Sequence, residues 1–499
     1  MSDFPEYDEI HVISDIHMGG DKPDFQILRE TSRLANYIRW VAGQRPEGRV
    51  ALILNGDVID TLAEDIHGYV AVDEAVAILR RIMKDASFSD IWQALADFVK
   101  LQGRTLIIVI GNHDIELSFP VVQHLLITSL AGDDLAARAR IEFSTTGAGY
   151  TCQVGNARVY CTHGNEVDAW NYNRYEDLAK VGRRLNAGRS LDPSEWYPNA
   201  GTRMVKEVMN DVKRRFAWID LLKPETSAAV GTLLVLDPSQ ISKIGKLLSI
   251  VGEKIQGSKQ VDQRLSAEGF HQPDQEIPSS ITVDRLLGPN LKAGILSSAL
   301  PGGRNADDML LAAEENLNRT DAGSTAIDST LGTPQLILDS LTGWMRGVGK
   351  DEALRRALKD WLANDKTFDI TDQDDTYKQV TAVVGPAIDF IVTGHTHLER
   401  AIDMGGGRYY FNSGTWIRLL QFTEAMLKDT ATFRPVYDVL IEGKMETIDR
   451  AVFDNRPFVM NQTSAVSIKA ESGKVVGRLL HVMGDGTAAP VEIKKYPEK

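Results

Sequence analysis

Short apolar runs that break off at clusters of polar residues recur along the chain. "HVIS" (11–14) stops at Asp15, "VALIL" (50–54) at "NGDVID", "TLIIVI" (105–110) at "GNHD", "ARVYC" (157–161) at "THGNEVD", and "DFIVT" (389–393) at "GHTHLE". Each run is rich in β-branched residues, has the length of a strand and is punctuated by turn residues, so each predicts a strand. Their near-continuous apolar character predicts sheets covered on both faces. Between the first three runs the apolar positions recur at helical spacing, over "FQILRETSRLANYIRWVAG" (25–43) and over "VDEAVAILRRIMKDA" continuing through "DIWQALADFVKLQG". Strand and helix alternating in this way predict a layered α/β domain.

The pattern changes after residue 168. Residues 169–386 hold helical stretches such as "MVKEVMNDVKRRFAWIDLL", "ISKIGKLLSIVGEKI" and "DEALRRALKDWLAN", with the polar, loop-like "GSKQVDQRLSAEGFHQPDQEIPSS" among them. This predicts a mostly helical insertion or cap over 169–386 between a first core part, 1–168, and a second, 387–428. The tail, 429–499, alternates apolar and polar positions in "VYDVLIEG", "AVSIKAESGKVVGRLLHVM" and "PVEIKKY", which predicts a β-rich extension that either lengthens the sheet or forms a small accessory one.

Length and charge narrow the options. At 499 residues the chain has room for two to four domains of roughly 100–200 residues. A formal net charge of −14 disfavours a broad nucleic-acid-binding face. No window reaches the roughly 18 apolar residues of a membrane span, and "MSDFPEYDEI" lacks the apolar stretch of a targeting signal. The two cysteines, Cys152 and Cys161, flank a hairpin predicted to turn at Gly155-Asn156, which sets Cys152 opposite Val159 and Cys161 opposite Tyr150. Diagonal neighbours in such a hairpin stand roughly 7–8 Å apart, too far for a disulfide. Both read as small core residues, and the expected location is cytoplasmic.

Five of the ten histidines, His17, His113, His163, His395 and His397, lie in the strand-end motifs together with Asp15, Asp57, Asp60, Asn112 and Asp114. Open α/β sheets place ligand sites at the carboxyl ends of their strands, so these residues are expected to converge on one edge. Carboxylates and imidazoles without thiolates suit Mn, Fe or Zn, and a pair of such cations can clamp a phosphoryl group for in-line displacement. The flanking Glu166 and Asp168 read equally as supports for the ligands or as loop charges. His67 reads as a surface residue, and His124, in "PVVQHLLITSL", as a packed one.

The ordered set "DIH" (15–17), "GDVID" (56–60), "GNHD" (111–114), "THG" around His163 and "GHTH" (394–397) resembles the calcineurin-like metallophosphoesterases over about residues 8–168 and 388–418. The resemblance implies two packed β-sheets flanked by helices, and two divalent transition-metal ions, most simply Mn²⁺. It implies that Asp15, His17 and His397 bind the first metal, that Asp57 bridges, and that Asn112, His163 and His395 bind the second. His113 would contact the phosphate and protonate the leaving oxygen, with Asp114 orienting its ring and Asp60 bracing the loop by hydrogen bonds. Gly56, Gly111 and Gly394 would let the backbone turn beside the metals. The implied activity is attack of a metal-bridging hydroxide on a phosphodiester or pyrophosphate, with phosphomonoesters as further substrates. The substrate would be a small phosphate ester or nucleotide-type molecule.

"SDIHMGG" with "GDVID" further resembles the UDP-2,3-diacylglucosamine pyrophosphohydrolase-like branch, from which the chain departs by carrying His113 where that branch has arginine. The same motifs resemble the nuclease of the double-strand-break repair complex, so a DNA nuclease is one alternative. A non-catalytic interaction protein with a vestigial metal site is another. From His163 to His395 is 232 positions (395 − 163), and so long an insertion is expected to cap the metal edge and select the substrate.

Overall fold

A computed structural model describes residues 4–20, 22, 25–190, 196–223, 235–236, 348–362 and 366–498. The predicted stretches "ISKIGKLLSIVGEKI" and "GSKQVDQRLSAEGFHQPDQEIPSS" lie outside them. The first strands are β1 (Glu6–Tyr7), β2 (Glu9–Ile13), β3 (Val50–Asn55), β4 (Arg104–Val109) and β5 (Ile141–Ser144). Next come β6 (Tyr150–Val154), β7 (Ala157–Cys161), β8 (Phe390–Thr393), β9 (Glu399–Gly405) and β10 (Arg408–Ser413). Four short strands follow, β11 (Leu419–Leu420), β12 (Val452–Phe453), β13 (Arg456–Pro457) and β14 (Val459–Met460), and then β15 (Ser464–Glu471), β16 (Lys474–His481) and β17 (Val491–Tyr496). All five strands expected from the apolar runs are present.

Two large sheets result. One has the order β17-β16-β15-β2-β3-β4-β5 and the other β1-β6-β7-β8-β10-β9. Strands β2 to β5 are parallel, and β7, β8 and β10 are parallel in the second sheet. Successive side chains point to opposite faces of each strand, as a period of two requires, and β2, β3 and β8 are buried on both faces. Ile10, Val12, Ala51, Ile53, Ile107 and Val109 meet Val159, Cys161, Phe390, Val392 and Phe411 between the sheets. Val50, Leu52, Leu54, Leu106 and Ile108 face the other way, against helices. Those helices are α1 (Thr31–Ala42), α2 (Ala75–Lys84), α3 (Ser89–Lys100) and α4 (Pro120–Ala131). The outer face of the second sheet, Ile391, Ile402 and Tyr410, packs on Val380 of the helix Asp375–Val383. The protein is therefore an α/β structure of two packed sheets flanked by helices, as expected.

The hairpin pairing is also as expected, with Tyr150 opposite Cys161, Cys152 opposite Val159, and both thiols free and buried. The tail lengthens the first sheet, because β15 pairs antiparallel with β2.

Four local expectations need correction. "VYDVLIEG" is not a strand but lies in the helix Thr430–Glu442, which Asp429 caps through Thr432 N–H and Gly443 ends at φ 75°. Its buried Phe433, Val436, Tyr437 and Leu440 keep helical spacing. They join Trp218, Leu221, Leu354, Leu358 and Ile417 in a separate helical core, where Trp218 Nε1–H donates to Leu440 O at 2.9 Å. Residues 26–30 are not helical, and Leu28 instead forms a bridge with Ile417. The helical stretch after residue 72 is broken at 85–88 into α2 and α3. His124 is exposed, because the buried side of α4 is the row Val122, Leu126, Leu130.

Candidate metal centre

The carboxyl ends of β2, β3, β4, β7 and β8 carry the polar motifs, and the two sheets are stitched together there. Asn55 Nδ2–H donates to Thr162 O at 2.8 Å, Gly394 N–H to His163 O at 2.9 Å, and Ser14 Oγ lies 2.7 Å from Ser413 Oγ. The loops after β2 and β3 run side by side, with Asp15 N–H on Gly56 O and both Ile16 and His17 N–H on Asp57 O. Trp416 N–H and Thr415 Oγ1–H then close on Asp15 O.

These bonds hold the backbone in an uncommon state. Asp15 (φ 52°), His17 (52°), Asp57 (53°), His395 (70°) and His397 (61°) all occupy the left-handed region. For a residue other than glycine this costs on the order of 1–3 kcal/mol, and such residues cluster at functional sites. Gly56 answers two needs at once. Its φ is 90°, and a Cβ there would lie 2.2 Å from His163 Nδ1. Gly111 is needed for space alone, since its Cβ would lie 2.1 Å from Asp57 Oδ1.

Three clusters of donor atoms form on this frame, Asp15–His17–His397, Asp57–His163–His395 and, sharing His17 with the first, His17–Asp60–His113, each with its ligand atoms within 4.8 Å of one another. In the first, His397 Nε2 lies 3.2 Å from both Asp15 Oδ1 and His17 Nε2. In the second, His163 Nε2 lies 3.2 Å from Asp57 Oδ2, off the line of a hydrogen bond. His17 Nε2 stands 3.8 Å from that same Asp57 oxygen, so Asp57 faces both of these clusters. The outward oxygens are already engaged. Asp15 Oδ2 accepts His395 N–H at 3.0 Å and Asp57 Oδ1 accepts His113 N–H at 2.9 Å. His163 Nδ1–H donates to Asn55 O at 2.8 Å, which turns the Nε2 lone pair toward Asp57.

The donor set fits a pair of divalent cations. Asp15 Oδ1, Asn112 Oδ1 and His163 Nε2 are buried without hydrogen-bond partners, a cost that metal ligation would relieve. Burial, and after it the nearby Lys223 cation, pushes the His397 imidazole down to about 4, so its lone pair is available at neutral pH.

One expected role is overturned. Asp114 does not orient His113: its carboxylate oxygens accept from Gly111 N–H and Val58 N–H, both at 2.7 Å. Burial, and after it the charge of Asp57, pushes Asp114 up to about 7, which makes it a poor fixed anion. Asp60, expected only to brace its loop, meets His113 Nδ1 at 3.0 Å and His17 Nδ1 at 3.5 Å while also accepting Ala63 N–H at 3.2 Å. Adjacency in sequence misled here, because the turn after "GNH" points Asp114 back under its own loop. Of the two readings open for Asp168, the structure favours the support, since its Oδ2 accepts from His395 Nε2–H at 2.8 Å; Asn173, which no motif marked, donates Nδ2–H to Gly111 O at 2.7 Å. His67, by contrast, is exposed and paired with Glu74.

No curated protein matches the chain at a significant level. Residues 9–222 match a family model described as calcineurin-like phosphoesterase. The matched span holds Asp15 through His163 but ends before His395 and His397, which the fold brings into the first two clusters.

Proposed function

We propose, from the match of residues 9–222 to the calcineurin-like phosphoesterase family model, that the chain is a dinuclear metal-dependent phosphoesterase that hydrolyses a phosphodiester or pyrophosphate bond. The observation that carries this reading is the pair of donor clusters facing one oxygen of Asp57. Asp15, His17 and His397 would hold one cation, Asn112, His163 and His395 the other, and Asp57 both. Mn²⁺ is our first assignment, and iron and zinc are compatible with the same donors. When bound, the cations supply Lewis acidity toward the phosphoryl oxygens and lower the pKa of water.

The chain's own groups do the rest. His113 Nδ1–H donates to Asp60, so Nε2 is the nitrogen that carries a proton to the leaving oxygen. The Asp60 carboxylate fixes the ring through that hydrogen bond. We read the helical stretch from Ala200 to Lys213 as part of a cap. Asn210 Nδ2–H reaches Leu62 O at 3.2 Å and Lys206 Nζ reaches Ile66 O at 3.3 Å, both on the segment after Asp60. A cap there would confine substrates and exclude water.

An activity panel with Mn²⁺ tests the reading. It compares an aryl diester, an aryl monoester, cyclic nucleotides, nucleoside-diphosphate conjugates, and single- and double-stranded DNA. Turnover of the aryl diester and of diphosphate conjugates is expected. Cleavage confined to DNA overturns the substrate assignment, and a metal-loaded protein inert toward every substrate overturns the enzymatic one.

A further inference from the structure

His395 is held from behind by a hydrogen-bonded chain that leads out of the site. Its Nε2–H donates to Asp168 Oδ2 at 2.8 Å, which fixes the tautomer and leaves the lone pair on Nδ1. Asp168 is itself anchored. Asn171 Nδ2–H donates to the same oxygen at 2.7 Å, and Trp170 N–H donates to Oδ1 at 2.9 Å. Asn165 Nδ2–H closes the loop on Asn171 O at 3.1 Å.

The next link is the start of the helical stretch. Gly201 N–H donates to Trp170 O at 2.7 Å, and a Cβ on Gly201 would lie 1.9 Å from Asn171 Oδ1. The stretch must therefore lie flush on the loop that holds Asp168. Asn199 caps its first turn through Thr202 N–H at 2.7 Å, which fixes the direction in which it leaves.

We propose that Asp168, Asn171 and Gly201 form a link through which the seating of the helical stretch beginning at Ala200 sets the affinity of the cation site that contains His395. This rests on the dinuclear reading above. Asp168 is a positioning residue, acting only through the ring it orients. Coupling between two binding events is reciprocal, so a ligand that seats the stretch tightens the His395 site, and a cation there favours the seated stretch.

The test is calorimetric titration of Mn²⁺ alone into the full chain stripped with chelator. Removing a support behind a ligating histidine costs about 10–100-fold in metal affinity, so Asp168→Ala should weaken one of two cation equivalents by that factor and leave the other within about twofold. Asp168→Asn keeps an oxygen that accepts from Nε2–H and should recover part of the loss, which a merely structural role would not produce. Asn171→Ala and Gly201→Ala should weaken the same equivalent, and Asn171→Ala adds no bulk if Gly201→Ala fails to fold. Asp168→Ala with two wild-type affinities overturns the positioning role. Asn171→Ala and a folded Gly201→Ala that both bind as wild type overturn the link to the helical stretch. Equal weakening of both equivalents overturns the selectivity for the His395 site. Wild-type protein that binds no cation fails the dinuclear reading itself and is distinct from wild type that binds two while every variant matches it.

Discussion

Gly111→Ala places a methyl group where the structure has none to spare. The new Cβ would lie 2.1 Å from Asp57 Oδ1, 2.7 Å from Asp57 N and 2.8 Å from Asp57 Cγ. Carbon contacts relax only near roughly 3.5 Å, so the two loops must part by more than an ångström. Asp57 has little freedom to yield. Its carbonyl accepts Ile16 and His17 N–H, its Oδ1 accepts His113 N–H, and its φ is already 53°. The "GNH" loop must move instead, against Gly111 N–H on Asp114 and Asn173 on Gly111 O. Such overpacking costs about 1–3 kcal/mol, and the stiffer unfolded chain of an alanine variant returns about 0.4–1 kcal/mol. The net expectation is a stability loss of about 1–2 kcal/mol, read by denaturant unfolding. Metal binding should suffer more, because Asp57 and Asn112 both shift, and at least about a tenfold loss of Mn²⁺ affinity is expected by calorimetry. A variant with wild-type stability and wild-type affinity would refute the close seating of this loop on Asp57.

Three further outcomes are expected. His113→Ala should lose about 10²–10⁴-fold in turnover while metal content stays at the wild-type level, and Asp60→Asn should move turnover in the same direction; elemental analysis alongside kinetics checks both. Burial alone would raise the carboxyl of Glu9, but the His11 hydrogen bond and the charges around it hold it at about 2, against 4.5 for a free group. Its contribution is present above pH 4.5 and is lost as pH falls toward 2, so Glu9→Gln should cost about 3 kcal/mol at neutral pH and flatten that part of the acid unfolding curve. Burial pushes the Cys152 thiol up to about 12 and raises Cys161 as well. Neither should react with a thiol reagent until denaturant is added, when both should react.

The strand-end motifs were legible because each ends an apolar run of strand length, and parallel strands bring such ends to one edge. The cysteine hairpin was legible because a two-residue turn at Gly155-Asn156 fixes the register. Long-range partners were not legible. Asp114 is the sequence neighbour of His113, yet the left-handed turn at Asp57 and the 3₁₀ turn Thr61–Ala63 are what bring Asp60 onto the ring. The left-handed backbone of Asp15, His17, Asp57, His395 and His397 rests on bonds between loops tens to hundreds of residues apart, which no local pattern encodes. The helix at Thr430–Glu442 did leave a signal, an Asp429 cap, four apolar residues at helical spacing and a closing Gly443, but its β-branched residues masked it.

Metal content is the most direct measure of the dinuclear claim. Chelator-free protein, loaded with Mn²⁺ and desalted, should carry about two divalent ions per chain by elemental analysis, and Asp57→Asn, which weakens the shared ligand, should carry fewer. Wild-type protein that retains no metal after loading, or an Asp57→Asn variant that retains as much as wild type, would contradict a centre built on that shared carboxylate.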